Sequence, residues 1–421
     1  MANNKKKPSS SKYQKKAVKT VTKAAKKNPK VFIIVVLVLA VLVGAGLAVY
    51  FLFLKDKIGP KSGSSEPSSS QVTSSSHNHD EHYDPKITTP SGISINFLEL
   101  GSWYTGDSTF IKAGDVDILI DAGSKNTDEC AKAVKDFVTR PDMCTDGKLE
   151  YVIVTHAHED HIAGFVGTSK VPGIFESFKI GTLIDFSFTN ISEKTKSGDD
   201  SLYGNYKIKR DAAIASGDIE HHYTAAQCIA ESDGAKKEYT ITDSVKMTIL
   251  DQKYYHETNS KENNYSVCTL FTHNNQNHYL FTGDLESGGE KSLVALNELP
   301  HCQLFKGGHH GSATSNTDAL LSVIKPEVVC ICCCAGSTEY TKTPANQFPY
   351  QEAIDNIAKY TDQIFVTTVS TDNDKKIFAP LNGSICFKSE NGKEYTVTGS
   401  NNSTILKETE WFKNNRTWPT A

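Results

Sequence analysis

Hydrophobic positions fall along this chain in two different ways. From Val31 to Leu54 the run is apolar and uncharged. At about 1.5 Å per residue, a helix of that length crosses a hydrocarbon layer roughly 30 Å thick, so residues 31–54 are expected to form a transmembrane helix. Beyond residue 92 the apolar positions come in short runs of strand length. Ile95 to Leu100 alternates as a half-buried strand, Gly101 to Gly106 supplies a turn, and Ser108 to Lys112 reads as the partner strand. Asp117 to Ile120 and Tyr151 to Val154 read as buried strands, and between them Cys130, Val134 and Phe137 share one helical face. Further strands are expected at His278 to Phe281, Leu304 to Lys306, Val328 to Ala335 and Gln363 to Val369. Gln351 to Lys359 reads as a helix, and Ile377 with Gly383 to Lys388 as a terminal hairpin. Strands first, with a helix between buried strands, predict an α/β layered domain.

Composition and charge add the appendages. With 421 residues, 38% of them hydrophobic, the chain has room for one large domain or two modest ones. Residues 1–30 carry eleven lysines and no acidic residue, and lysines before the span place this tail in the cytoplasm and the rest outside the cell membrane. A cleaved signal peptide competes with a single-pass anchor, since Ala45 to Ala48 is rich in small residues, but the basic segment is too long and the apolar one too extended. Residues 55–92 are rich in Ser, Gly and Pro and read as a disordered linker, in which His77, His79 and His82 are read as solvated polar sequence. The folded domain is expected over 93–399, followed by a surface tail over 400–421 in which Trp411 and Trp418 pack against it. Residues 1–61 hold fourteen lysines against Asp56, a net of +13, so the chain total of −4 leaves −17 beyond them. An acidic outer part weighs against a domain that grips nucleic acid through a broad basic face.

The chemistry is concentrated after the Tyr151 to Val154 strand, where Thr155 to His161 packs three imidazoles and two carboxylates into one loop. In extended backbone, residues two apart point the same way, so His156 and His158 can converge on one cation while the following turn carries Asp160 and His161 to a second. Imidazole nitrogen suits zinc, and carboxylates supply harder oxygen donors. Two more strands end in ligand types: Thr282-Gly283-Asp284, where one carboxylate can bridge two cations, and Gly308-His309-His310-Gly311-Ser312. Three strand ends of this kind point to one shared metal site.

The order THAHEDH, TGD, HHGS resembles the metallo-β-lactamase superfamily, and within it the exported hydrolase domain of ComEC-type competence proteins. Phe97 to Gly101 with Gly106-Asp107-Ser108, Asp121-Ala122-Gly123, Asn263 to Val267 and Gly311 through Ser315 are similar to further motifs of that branch. The resemblance covers about residues 93 to 390 and implies a four-layer αβ/βα sandwich with a two-metal site on one edge. It implies that His156 and His158 hold the first cation and Asp160 and His161 the second, with Asp284 between them. His310 would be a ligand of the second cation, and His309 would contact substrate or protonate a leaving group, though these two roles are exchangeable. The further histidine that many members use for the first cation has no glycine-flanked counterpart here. His221, His222, His256 and His273 are available, or Asn263 or Asn264 stands in their place. ComEC also has a multi-span channel portion, whereas a single span is expected here.

The function so implied is hydrolysis with two divalent cations, zinc first and manganese second, by attack of a metal-held hydroxide, with Asp160, Asp284 and His309 as the catalytic residues. Phosphodiesters are the first substrate class, as DNA or as envelope polymers of the teichoic-acid type. A lactone or β-lactam ring and a non-enzymatic, metal-stabilised binding module are the alternatives. No protein partner is evident. Cys330, Cys332, Cys333 and Cys334 read as buried small hydrophobes, and Cys130 with Cys144 is the one candidate disulfide.

Overall fold

The computed structural model describes residues 83–420. The basic tail, the apolar run over 31–54 and most of the linker lie outside the described residues. Among the described residues no helix is long and apolar enough to cross a membrane.

Among the described residues, sixteen strands form two sheets. In chain order they are β1 Ile93–Phe97, β2 Asp107–Ala113, β3 Val116–Gly123, β4 Lys148–Ile153, β5 Lys179–Asp185, β6 Ile219–Thr224, β7 Glu238–Thr240 and β8 Val245–Leu250. They continue with β9 Cys268–His273, β10 Asn277–Phe281, β11 Leu304–Lys306, β12 Val328–Ala335, β13 Ile364–Asp372, β14 Ile377–Pro380, β15 Ile385–Ser389 and β16 Thr396–Gly399. The first sheet runs β16-β15-β1-β2-β3-β4-β5-β6, and the second β14-β13-β12-β11-β10-β9-β8-β7. This is a mixed α/β architecture with two large sheets, consistent with the sandwich that the resemblance implies.

The layers follow from side-chain alternation along each strand. Phe97 of β1 stacks on Phe281 of β10 across the sheets, with ring centroids 6.2 Å apart. Phe110 of β2 meets Phe137 of helix α1 (Asp128–Val138) on the outer side. In β12, Cys330 and Cys332 enter the core between the sheets, while Val329, Ile331 and Cys333 face the outer core with Leu320, Leu321 and Ile354. Both halves contain a parallel block, β3 to β6 and β10 to β13. Parallel strands need long crossovers, and their carboxyl ends open onto one edge where ligands collect. The segments after β4, β10 and β11 carry the ligand-type residues named above, and the end of β3 carries Asp121.

Four expectations are corrected. The terminal hairpin does not form: β14 pairs with β13 in the second sheet, whereas β15 pairs with β1 in the first. Gly383, at φ +76°, turns the chain from one sheet to the other, and the buried Asn382 fixes the crossing by accepting from Val366 N at 2.8 Å. Residues 400–421 are more than a surface tail. Leu406 and Phe412 are buried in the outer core, Trp411 and Trp418 pack against it, and Arg416 donates to the carbonyls of Gln347 and Pro349. The last part of the linker is tied down, since Thr88 N and Thr89 Oγ1 donate to Glu390 at 2.9 and 2.7 Å. Cys130 and Cys144 are not bonded: all ten cysteines are free and buried. The Cys144 thiol donates to Lys148 O at 3.3 Å instead.

Candidate metal centre

Backbone constraints bring four loops together. Asp121, at the end of β3, adopts φ +55°, a left-handed conformation that Asp tolerates better than most residues. Its carboxylate accepts from Thr155 N at 2.8 Å and Thr155 Oγ1 at 2.7 Å, which pins the loop leaving β4. Helix α2 (Glu159–Val166) begins directly after His158 and presents Asp160 and His161 from its first turn. A Cβ on Gly123 would collide with the backbone of Asp160 and His161, so glycine there lets the β3 turn seat that helix. After β10, Gly283 has φ +54°, and a Cβ on it would come within 2.8 Å of Thr155 Cβ and Ser266 Oγ. Bare backbone at this point delivers Asp284 against the His156 loop.

The donors converge on Asp284. Its Oδ2 lies 3.3 Å from His161 Nε2, 3.3 Å from His310 Nε2, 3.7 Å from His309 Nε2 and 3.9 Å from His156 Nε2. His310 Nε2 also lies 3.3 Å from Asp160 Oδ2, and Tyr340 donates its hydroxyl to that same oxygen at 3.0 Å. The rear ring nitrogens are anchored, His161 Nδ1 on Asp121 Oδ2 at 2.8 Å and His310 Nδ1 on Cys332 O at 2.9 Å. That anchoring orients Nε2 of each ring toward Asp284.

A divalent cation fits these residues on two observations. First, His161 Nε2, His310 Nε2 and Asp284 Oδ1 are buried and make no hydrogen bond, which is costly unless something else engages them. Second, His156 with His161 and Asp284, and Asp160 with His161 and His310, offer donor atoms all within 4.8 Å of one another. The electrostatics agree. Burial alone would raise the Asp284 carboxyl, but His310, His161 and His309 hold it well below its usual range. Burial opposes protonation of His161 and His310, yet Asp284 and Asp121 hold the first well above its usual value, and Asp284 with Asp160 lifts the second to about 10. Burial and the neighbouring His161 push His156 well below. The pocket thus requires positive charge, which a cation would supply in place of the protons.

Of the residues expected at the site, His156, Asp160, His161, Asp284 and His310 meet in this cluster. His158 lies 3.0 Å from His156 Nε2 through its Nδ1 but joins none of the three-donor groups. His309 sits at the rim, its side chain 19% exposed, with Nδ1 on Thr314 Oγ1 at 2.8 Å and Nε2 3.4 Å from Asn263 Nδ2. The spare histidines are occupied elsewhere: His222 on Asp185, His256 on Asp251, and His273 on Ser91 O, while His221 stacks on Tyr223. Asn263 is at the site, with a buried Oδ1 that makes no hydrogen bond, whereas the Asn264 side chain accepts from Glu286 N.

Asp121, Asp107, Lys306 and Tyr340 were not singled out by sequence reasoning as members of the site. Asp121 and Asp107 stood in quoted motifs but read there as turn residues. Nothing in the pattern around Lys306 distinguishes it, whereas Tyr340 opens a polar, Pro-containing loop over 340–349 whose pattern suits the substrate edge without marking Tyr340 itself. An open polar cleft beside Asp160 is lined by Thr105, Ser124, Lys125, Glu159, Glu339 and Tyr340.

Residues 101–173, which include the β3 turn and the His156 loop, match the metallo-beta-lactamase superfamily. Over that segment the chain is similar to the superfamily. It is 28% identical over 115 residues to Recombination protein 2 of Haemophilus influenzae, a stretch covering 27% of this chain and 14% of that protein. Among solved structures it is similar to the metallo-beta-lactamase fold protein YhfI from Bacillus subtilis, at 9% identity and a TM-score of 0.37, covering 66% of this chain and 96% of that one. It is also similar to the short form of human tRNase Z, at 14% identity and a TM-score of 0.30, covering 66% and 93%.

Proposed function

We propose that this chain is a metal-dependent hydrolase of phosphodiester bonds, anchored by its Val31 to Leu54 segment with the domain outside the cell. The observation that carries the hydrolase reading is the position of Asp284 Oδ2, 3.3 Å from both His161 Nε2 and His310 Nε2, whose own hydrogen-bonding capacity is unused. Donors from two other strand ends, those of β4 and β11, meet around that one carboxylate. The anchor rests on the lysine-rich segment before an uncharged apolar run.

His156, Asp160, His161, Asp284 and His310 would hold divalent cations, with His158 beside His156; zinc suits the imidazole-rich set. Cations held there supply Lewis acidity for a phosphoryl oxygen and lower the pKa of water at the site. Asp284 fixes the spacing of the two donor groups. Asp160, which accepts from the Tyr340 hydroxyl, would orient the attacking water. His309 stands at the open side with Thr314 fixing its Nδ1, so its Nε2 is available to a leaving-group oxygen. Acidic Glu159 and Glu339 line the adjoining cleft. They favour a small or polymer-linked phosphodiester over a long nucleic-acid duplex, which needs basic contacts along its backbone.

The full-length chain, purified in detergent, is assayed for metal per chain and for hydrolysis of bis-nitrophenyl phosphate, nitrophenyl phosphorylcholine and single- and double-stranded DNA. His156→Ala and Asp284→Ala serve as controls. Metal uptake with hydrolysis of the small diesters, abolished in both variants, is expected. Hydrolysis that survives both substitutions would remove this centre from the reaction.

A further inference from the structure

Directly behind the cluster lies a charge pair that the mechanism does not use. Lys306, the last residue of β11, is the one buried lysine among the described residues, and its ammonium contacts the carboxylate of Asp107, the first residue of β2. Each side chain is 2% exposed. The pair spans from the second sheet to the first beneath the metal ligands. Asp107 offers a carboxylate oxygen within 4.8 Å of donor atoms of Asp284 and His310, and likewise of Asp121 and His161.

We propose that Asp107 and Lys306 are positioning residues that set the charge of the metal centre and thereby its affinity for the second cation. The proposal rests on the metal-dependent reading above. Asp107, Asp121 and Asp284, all buried, and Asp160, 16% exposed, bring four carboxylates to the centre, and Lys306 brings the single ammonium. Counted ionised, they leave three negative charges. One divalent cation reduces this to one, and a second turns it to one positive. In a low-dielectric interior that balance decides whether the second cation stays. Replacing Asp107 by Asn leaves two negative charges for two cations and places an unpaired ammonium beside Asp284. Replacing Lys306 by Met leaves four. The double replacement returns to three, the same count as the native chain.

A simple clamp between the sheets would behave differently. It would lower stability when either partner is lost and would leave cation affinity unlinked to the sign of the charge removed.

The test is zinc binding by the full-length chain in detergent, by competition with a chromophoric chelator, on wild type, D107N, K306M, D107N/K306M and K306R. D107N is expected to bind the weaker of two zinc ions about ten- to a hundredfold less tightly, the range typical for partners behind a metal ligand. K306M is expected to bind no more weakly than wild type. The double variant, which has the native charge count, is expected to bind as wild type does. K306R keeps the charge and should bind as wild type; a tenfold loss there overturns the proposal, as does a double variant no better than D107N. Wild-type protein that takes up no zinc sinks the metal reading and the pair with it. Wild-type uptake that His156→Ala abolishes and D107N leaves unchanged sinks the pair alone. Far-UV circular dichroism of each variant separates loss of binding from loss of fold.

Discussion

Asp121 Oδ2 lies 2.8 Å from His161 Nδ1, on the side of the ring opposite the nitrogen that faces Asp284. The same carboxylate accepts both hydrogen bonds from Thr155 and so fixes the loop and the imidazole together. Asp121→Asn keeps the shape and tolerates the left-handed backbone but removes the anion behind the ring. Zinc affinity is expected to fall about ten- to a hundredfold with little change in fold. Competition with a chelator checks this, and unaltered affinity would mean that Asp121 serves the loop only.

Asn316 holds the other histidine loop. His309 and His310 adopt φ +48° and +55°, which costs a non-glycine residue roughly 1–2 kcal/mol each. Asn316 accepts from Gly308 N at 2.8 Å and donates to Gly308 O at 2.9 Å and Ser312 O at 3.2 Å, closing the loop around them. Asn316→Ala leaves those buried groups unpaired and puts alanine at φ +59°. A loss of roughly 2–4 kcal/mol in urea unfolding is expected. Metal stoichiometry should drop as well, because His310 loses its placement.

Glu290 carries the clamp one step further, accepting from Asn316 N at 2.7 Å and Thr317 N at 3.0 Å. Burial lifts its carboxyl from 4.5 to about 7, against the opposing hydrogen bonds from Thr317 and Asn316. With a folded pKa above the unfolded one, the native state binds more protons between those values. Its contribution is therefore fully present below pH 4.5 and lost as pH rises through about 7. The change is at most about 3 kcal/mol at 1.36 kcal/mol per unit. Urea midpoints at pH 5 and pH 7.5 should differ less in Glu290→Gln than in wild type. An equal difference in both proteins would assign the pH dependence to other groups.

The cysteines predict a chemical count. All ten are free and buried, and burial pushes the thiols of Cys144, Cys302 and Cys386 up to about 12. Native protein should react slowly with dithionitrobenzoate, since the thiolate is the reactive form. Unfolding in guanidinium without reductant should then reveal ten thiols per chain. Eight would mean that one disulfide forms in the mature protein.

How much of this was legible in advance depended on locality. The strand ends at Val154, Phe281 and Lys306 stand out because buried apolar runs there stop at ligand types, and a short apolar run needs no tertiary information to be recognised. The β5 to β8 region was not assigned beforehand. Ile219 to Thr224 buries only Ile219 fully and carries Glu220, His221 and His222, so its alternation is weak. Gly383 illustrates the harder case. Its sequence reads as a hairpin turn, and only pairing with β1, far away along the chain, decides that β15 joins the other sheet.

The sequence by itself determined the α/β class, the His156 to His161 loop and the residue types of the centre, because spacing of a few residues controls which way neighbouring side chains point. It also determined that the cysteines of β12 suit a core. Tertiary structure alone decided which donors meet: that His310 is buried beside Asp284 and Asp160 while His309 stands at the rim, that Asp121 rather than solvent backs His161, and that Lys306 reaches Asp107. These relationships join residues of different strands, and electrostatic and steric contact depends on distance in space, which the order of residues does not encode.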